Sequence, residues 1–172
     1  MTSLDDLLSI YEARGERQYA GEPVDQLAHA WQSLRLARDA KAGPALQLAA
    51  FFHDIGHLFD DTDVPHERVG AAVLAGLLGP TVAQVVALHV DAKRYLVATE
   101  PDYAALLSED SVRSLARQGG PMTHSETLDF RRKPGADQAI RLRRWDEAAK
   151  DGSICSPPFQ LVRETVHGIL AR

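Results

Sequence analysis

The chain has very little cysteine and few aromatic residues. Among its 172 residues there is one cysteine, Cys155, and 6% of the residues are aromatic. A single thiol excludes an internal disulfide and a cysteine-rich zinc site, and it fits a reducing compartment. We therefore expect a cytoplasmic protein in which Cys155 is a loop or half-buried thiol without a nucleophilic role.

An excess of positive charge and long apolar runs are also missing. The 19 basic residues are outnumbered by 24 acidic ones, so the formal net charge is -5. Such a chain has no general attraction to nucleic acid or to an anionic membrane. No apolar run reaches spanning length, and "MTSLDDLLSIYEARGERQY" has acidic residues where a secretory signal needs basic ones. We expect no nucleic-acid or membrane partner, and the oligomeric state stays open.

Strand patterns are nearly absent, because no stretch alternates apolar and polar residues, whereas apolar residues recur at helical spacing throughout. The length and the 45% hydrophobic content suit one well-filled core. We predict an all-α helical bundle that forms a single domain over residues 1–172. The predicted helices cover residues 24–40, 44–59, 66–78, 81–98, about 108–118, 136–150, and 159 to the end.

One apolar stretch, "AAFFHDIGHLF" at residues 49–59, contains three titratable side chains, His53, Asp54 and His57. Burying such groups without partners is costly. A bound metal cation would offset the desolvation of Asp54 and would hold the imidazoles in their neutral form. His57 comes four residues after His53, on the same face of the predicted helix, so it can reach a metal or a metal-bound ligand.

Further histidines and an aspartate extend this stretch to a candidate metal site. Imidazole nitrogen and carboxylate oxygen together suit iron, manganese, cobalt or zinc. Four imidazoles and two carboxylates suffice for two metals if one carboxylate bridges them, and Asp54, beside His53, is the natural bridge. In isolation each histidine is more simply a hydrogen-bonded core residue, and we expect His124 and His167 to be surface or structural residues. The candidate ligands are His29, His53, Asp54, His66, His89 and Asp146.

These residues resemble the HD-domain superfamily, whose pattern of a histidine, a His-Asp pair and a later aspartate maps onto His29, His53, Asp54 and Asp146. Most members are metal-dependent phosphohydrolases, and His66 and His89 match the branch that holds two metals. A narrower resemblance is to the mixed-valent diiron oxygenases of phosphonate catabolism, the PhnZ-type enzymes. These use a diiron centre in the same way as myo-inositol oxygenase. This resemblance rests on the blocks "YAGEPVDQLAHAWQ" (19–32), "HDIGH" (53–57), "LHVDAKRYL" (88–96), "SVRSLARQGGPM" (111–122) and "LRRWDEAAK" (142–150).

The resemblance implies O2-dependent cleavage of the carbon–phosphorus bond of a 1-hydroxyalkylphosphonate, giving a carboxylic acid and inorganic phosphate. It implies two iron ions in the mixed-valent Fe(II)/Fe(III) state, with O2 as co-substrate. His29, His53, Asp54 and Asp146 would hold the first iron, and Asp54, His66 and His89 the second. The alternatives are a metal-dependent phosphohydrolase acting on a nucleotide or phosphate monoester, and a non-catalytic binding domain with a structural metal.

The same resemblance implies catalytic or substrate-binding roles for several further residues. Lys93, one helical turn after His89, and His57 would contact the phosphonate. Their place near the start of a short predicted helix, and not the resemblance, indicates that Ser111 and Ser114 offer hydroxyl and backbone N–H groups to an anion, unless they only cap that helix. Tyr19 would occupy the iron until substrate displaces it, and Glu22 would contact a cationic tail. The substrate is left open between three kinds: 2-amino-1-hydroxyethylphosphonate, its trimethylammonio counterpart and a nitrogen-free hydroxyphosphonate.

Arg143, one helical turn before Asp146, is the remaining polar residue close to the predicted ligands. We expect it to lie at the surface or to support a ligand, and not to contact the substrate.

Overall fold

The computed structural model describes residues 3–19, 21–59 and 63–171. In this part of the chain the regular elements are helices, and the only strand-like feature is an isolated bridge between Gln18 and Asp25. The prediction of an all-α fold is therefore confirmed. The helices are α1 (Leu4–Arg14), α2 (Gln26–Asp39), α3 (Pro44–Phe52), α4 (His66–Leu78), α5 (Pro80–Thr99), α6 (Pro101–Leu106), α7 (Glu109–Arg117), α8 (His124–Arg132), α9 (Ala136–Ala148) and α10 (Phe159–Leu170), with a 3-10 helix at Ile55–Leu58.

Local sequence signals explain where several of these helices begin. The Asp25 side chain caps α2 by accepting the Ala28 N–H at 2.7 Å, and Pro44 occupies the first turn of α3. Thr123 and Glu126 form a reciprocal capping box at the start of α8. The sequence prediction left out three helices, α1, α6 and α8. The last two of these are short.

The predicted helix over 44–59 is wrong in its second half, because α3 ends at Phe52. His53 and Asp54 lie in a turn, and the His57 N–H then donates to the Asp54 carbonyl at 2.9 Å, which is a 3-10 pattern. Gly56 permits this compact turn, since a Cβ atom there would lie 2.0 Å from the His66 carbonyl oxygen. His53 and His57 therefore do not share the face of one regular helix.

The core is built around α3 and α5. Helix α5 packs against α3, α4 and α9, and α2 packs against α3 and α9. Phe51, Phe52, Leu34, Leu58 and Leu142 are fully buried between them. The inner surfaces of α2, α3, α5 and α9 therefore meet, and the polar residues that they carry are brought together. None of the described helices has the length and apolar character that a membrane crossing requires.

Candidate metal centre

The structure brings the predicted ligands into two groups that share one residue. His29, His53, Asp54 and Asp146 form the first group, and Asp54, His66 and His89 form the second, with the donor atoms of each group within 4.8 Å of one another. They come from separate parts of the chain. These are helices α2, α5 and α9, the turn after α3, and the first residue of α4. Asp54 belongs to both groups, as expected of a bridging carboxylate.

The two oxygen atoms of Asp54 face different groups. Asp54 Oδ2 lies 3.4 Å from His53 Nε2 and 3.7 Å from His29 Nε2. Asp54 Oδ1 lies 3.3 Å from both His66 Nε2 and His89 Nε2. One carboxylate can thus provide one oxygen to each of two cations.

The backbone fixes which nitrogen of each buried ring faces the centre. The Nδ1 atoms of His29, His53 and His89 lie 2.9, 3.0 and 2.7 Å from the carbonyl oxygens of Ala149, Ala50 and Val86. A neutral ring that donates its Nδ1–H to a carbonyl presents an Nε2 lone pair on its other side, as metal-ligating histidines do. The Nε2 atoms of His29 and His53 are 3.2 Å apart, and those of His66 and His89 are 3.1 Å apart.

The electrostatics of the centre favour cations. Oδ1 of Asp54 and Oδ1 of Asp146 are buried without a hydrogen-bond donor among the described residues. Burial alone would raise the pKa of Asp146, but the adjacent Arg143 guanidinium, together with His29 and His53, outweighs burial and holds this pKa well below its usual value. Burial likewise lowers the pKa of His53, yet the two carboxylates outweigh it and raise that pKa to about 10. These ionised, unpartnered oxygens and oriented imidazoles fit a dinuclear metal site.

A cavity of about 260 Å³ opens beside the whole second group, whereas Asp146 is the one residue belonging to the first group alone that lines it. Asp54, His66 and His89 line it, whereas His29 and His53 are fully buried and do not. A metal held by the second group would therefore have positions open to a ligand in the cavity, which a catalytic metal requires. The predicted substrate contacts also line this cavity: Tyr19, Glu22, His57, Lys93, Ser111 and Ser114.

Lys93 lies on α5 in the same cavity as His89, as its spacing predicted. Its Nζ donates to Ser114 Oγ at 2.7 Å, and no carboxylate within ion-pair distance is found for it in the described chain. Burial lowers the pKa of Lys93 to about 8. The cavity therefore contains a cation that is available to an anionic ligand below that pH.

Ser111 and Ser114 do not cap α7, so that alternative is wrong. The cap is Ser108, whose Oγ accepts the Ser111 N–H at 3.1 Å, and this N–H is therefore not free for an anion. The Ser111 hydroxyl donates to Glu147 at 2.8 Å, and the Ser114 hydroxyl donates to the Ser111 carbonyl at 3.1 Å.

Tyr19 and His57 cover the metal centre from the cavity side. The Tyr19 hydroxyl donates to Asp54 Oδ2 at 2.6 Å, and its ring stacks on His29 with centroids 4.0 Å apart. The His57 ring stacks on His66 at 3.9 Å, and burial lowers the pKa of His57 to about 4. His57 is thus a neutral ring with one N–H to donate.

The sequence left two alternatives open for Arg143 and missed Lys150. Arg143 is not at the surface: it is buried and bonds to Asp146 and Glu147, so it supports a predicted ligand. It also lines the cavity, as does Lys150. For Arg143 helical spacing was an available signal, since it comes three residues before Asp146 on α9, whereas Lys150 lies beyond the end of that helix. His124, His167 and Cys155 are exposed, as expected for residues outside the site.

Comparison with known proteins agrees with this geometry. The family model described as HD domain matches residues 27–128. A [1-hydroxy-2-(trimethylamino)ethyl]phosphonate dioxygenase (glycine-betaine-forming) of Leisingera caerulea is 38% identical, over 87% of this chain and 81% of its own length. A hydroxymethylphosphonate dioxygenase of Gimesia maris is 37% identical, over 98% of this chain and 95% of its own. An uncharacterized protein of Acanthamoeba polyphaga mimivirus is 31% identical, over 86% of this chain and 73% of its own length.

Proposed function

The chain belongs to the HD domain family and to the branch that contains these two phosphonate dioxygenases, and on that premise we propose that it is an O2-dependent diiron oxygenase. Its reaction is the cleavage of the carbon–phosphorus bond of a 1-hydroxyalkylphosphonate to a carboxylic acid and inorganic phosphate. The observation that carries this proposal is the shared Asp54, with the second ligand group open to a cavity that contains an unpaired cation, Lys93.

Each metal has a defined set of residues in this proposal. His29, His53, Asp54 and Asp146 hold the first iron, and Asp54, His66 and His89 hold the second. The buried Oδ1 atoms of Asp54 and Asp146, which have no donor among the described residues, support this assignment. When bound, the mixed-valent iron pair supplies O2 reduction and Lewis acidity toward the oxygen atoms of the substrate.

The overall reaction balances without an external reductant. The carbon atom that bears the hydroxyl and phosphonate groups loses its bonds to hydrogen and phosphorus and becomes a carboxyl carbon. Its oxidation matches the complete reduction of one O2 molecule, and the two added oxygen atoms are accounted for by the carboxylate and the phosphate. Each turnover therefore consumes O2 and releases phosphate in equal molar amounts.

The residues of the chain hold and orient the substrate. Lys93 binds the phosphonate oxygens, because it is a buried cation of the cavity without a carboxylate partner among the described residues, and Ser114 fixes the direction of its ammonium group. His57 donates its N–H to the phosphonate from its position stacked on His66. Arg143 and Ser111 hold the wall on that side through their bonds to Asp146 and Glu147. The hydroxyl and one phosphonate oxygen then face the open second group.

Tyr19 and Glu22, from the loop before α2, also line the cavity. The Tyr19 hydroxyl touches the bridging Asp54, so it must move or be displaced when a substrate approaches the centre. Glu22 is buried and presents a carboxylate to the same cavity, which suits a cationic tail such as that of 2-amino-1-hydroxyethylphosphonate. Apart from the histidines, Tyr19 is the one aromatic residue that lines the described cavity, so an aromatic cage for a trimethylammonium group is absent there.

The proposal is tested by incubating iron-loaded protein with hydroxymethylphosphonate and with 2-amino-1-hydroxyethylphosphonate, with and without air, while phosphate release is measured. Phosphate release that needs both iron and O2 supports the oxygenase. Release that persists without O2, or turnover of phosphate monoesters with a redox-inert metal, supports the phosphohydrolase instead.

A further inference from the structure

Lys150 is a buried cation for which neither the sequence motifs nor the proposed reaction has a use. It lies two residues after the end of α9 and four residues after Asp146, and its side chain is only 10% exposed. Its Nζ is surrounded by polar atoms of the cavity wall. These are Glu22 Oε1 at 3.0 Å, Ser108 Oγ at 2.9 Å, Ser111 Oγ at 2.9 Å and Glu147 Oε2 at 3.2 Å.

The two serine hydroxyls around Lys150 have all their hydrogen-bonding capacity in use. Ser108 Oγ accepts from Lys150 and from the Ser111 N–H, and it donates to Glu22. Ser111 Oγ accepts from Lys150 and from Arg143, and it donates to Glu147. A hydroxyl has one donor and two acceptor positions. The orientations of the Ser108 and Ser111 hydroxyls are therefore fixed only while Lys150 is present.

Glu22 depends on Lys150 for its only ion pair among the described residues. The Glu22 side chain is nearly buried, and its other described partner is the neutral Ser108 hydroxyl. A buried carboxylate that loses its cation is strongly destabilised where it stands. Without Lys150, Glu22 would move toward water.

Glu22 and Tyr19 belong to one turn of the backbone. The Glu22 N–H donates to the Tyr19 carbonyl at 2.8 Å, and the Tyr19 N–H donates to the Val24 carbonyl at 3.1 Å. The side chains of this turn are anchored at two places, Glu22 at Lys150 and Tyr19 at Asp54. A shift of Glu22 therefore shifts Tyr19 as well.

We propose that Lys150 is a positioning residue that acts through Glu22: their ion pair holds the turn that carries Tyr19 closed over the metal centre. Lys150 does not touch the reacting atoms in this role. The role of Lys150 in closing the turn does not depend on which reaction the centre catalyses, whereas its effect on turnover rests on the proposed function.

The turn is tested first without any assay of activity, by amide hydrogen exchange of the iron-loaded protein. Lys150→Met is expected to speed exchange in peptides covering residues 18–25 by about tenfold and to leave α5 unchanged, because local opening affects local amides only. Lys41→Met is the matched control, since Lys41 is exposed. If Lys150→Met unfolds the whole protein, Ser108→Ala replaces it and is expected to loosen the same peptides. Exchange equal to that of Lys41→Met in both variants overturns the proposal.

A double-mutant cycle then tests the route through Glu22. Lys150→Met is expected to raise KM for 2-amino-1-hydroxyethylphosphonate about tenfold with little change in kcat, because it displaces the Glu22 carboxylate that receives the cationic tail. It is expected to add nothing once Glu22→Ala is present, because the two residues act as one unit. An undiminished effect of Lys150→Met in the Glu22→Ala protein overturns the proposed route. If the native protein turns over no hydroxyphosphonate, the proposed function is wrong, while hydrogen exchange still decides the role of Lys150.

Discussion

The Tyr19 hydroxyl donates a hydrogen bond to Asp54 Oδ2 at 2.6 Å, and Asp54 is the one residue common to both ligand groups. A residue from the loop before α2 therefore closes the cavity side of the centre. This contact connects the position of a surface loop with the accessibility of the bridging carboxylate.

Replacing Tyr19 with phenylalanine tests whether this contact protects the centre. Tyr19→Phe retains the ring that stacks on His29 but loses the hydroxyl that contacts Asp54. We expect iron binding to persist, and we expect activity to decay faster when the iron-loaded protein is stored in air without substrate. The decay is followed by withdrawing samples over time. A decay equal to that of the native protein would mean that the hydroxyl gives no protection.

The two-metal arrangement predicts a graded loss of iron. His66→Ala or His89→Ala removes a ligand from the second group and leaves the first group intact, so iron content should fall from about two toward about one per chain. Elemental analysis after gel filtration measures it. His124→Ala is the control, because His124 is exposed and outside both groups. Full iron content in both ligand variants is incompatible with the two-metal assignment.

The pKa of Lys93 predicts how substrate binding depends on pH. Burial places this pKa at about 8, below the ordinary value of 10.5, so the side chain is a cation below pH 8 and loses its charge as the pH rises further. KM for the phosphonate should therefore be steady below that pH and should increase above it. In Lys93→Met, KM at neutral pH should be about 10- to 100-fold higher, as expected for a lost charged hydrogen bond, and the alkaline increase should disappear. Persistence of that increase in Lys93→Met would assign it to another group.

Two neighbouring arginines provide a matched test of stability. Arg143 is buried and pairs with Asp146 and Glu147, whereas Arg144 is 47% exposed and pairs with Glu100. Arg143→Met leaves buried carboxylates without their cation and should lower the free energy of unfolding by about 3–5 kcal/mol. Arg144→Met should cost no more than about 1 kcal/mol. Urea unfolding of the metal-free proteins measures both, and equal losses would contradict the buried role of Arg143.

The sequence predicted the all-α fold and the ligand set because both depend on strong local signals. Helical spacing of apolar residues identifies the core helices, and imidazole and carboxylate groups in apolar surroundings require partners. The turn at His53 and Asp54 was not predictable, because it depends on the close approach of Gly56 to the His66 carbonyl, a contact that exists only after α4 has packed. The roles of Ser108, Glu147 and Lys150 were missed for a similar reason. Their contacts join the ends of α7 and α9, and a serine or lysine at a helix end has no pattern that distinguishes it from a solvated residue.

The central claim is that this centre uses O2 to break a carbon–phosphorus bond, and the most direct measurement is the molar ratio of O2 consumed to phosphate released by the iron-loaded protein. An oxygen electrode and a phosphate assay are applied to the same reaction with a hydroxyphosphonate. The proposed reaction predicts equal amounts of the two throughout, and neither in anaerobic buffer. Phosphate release without O2 consumption would contradict the account.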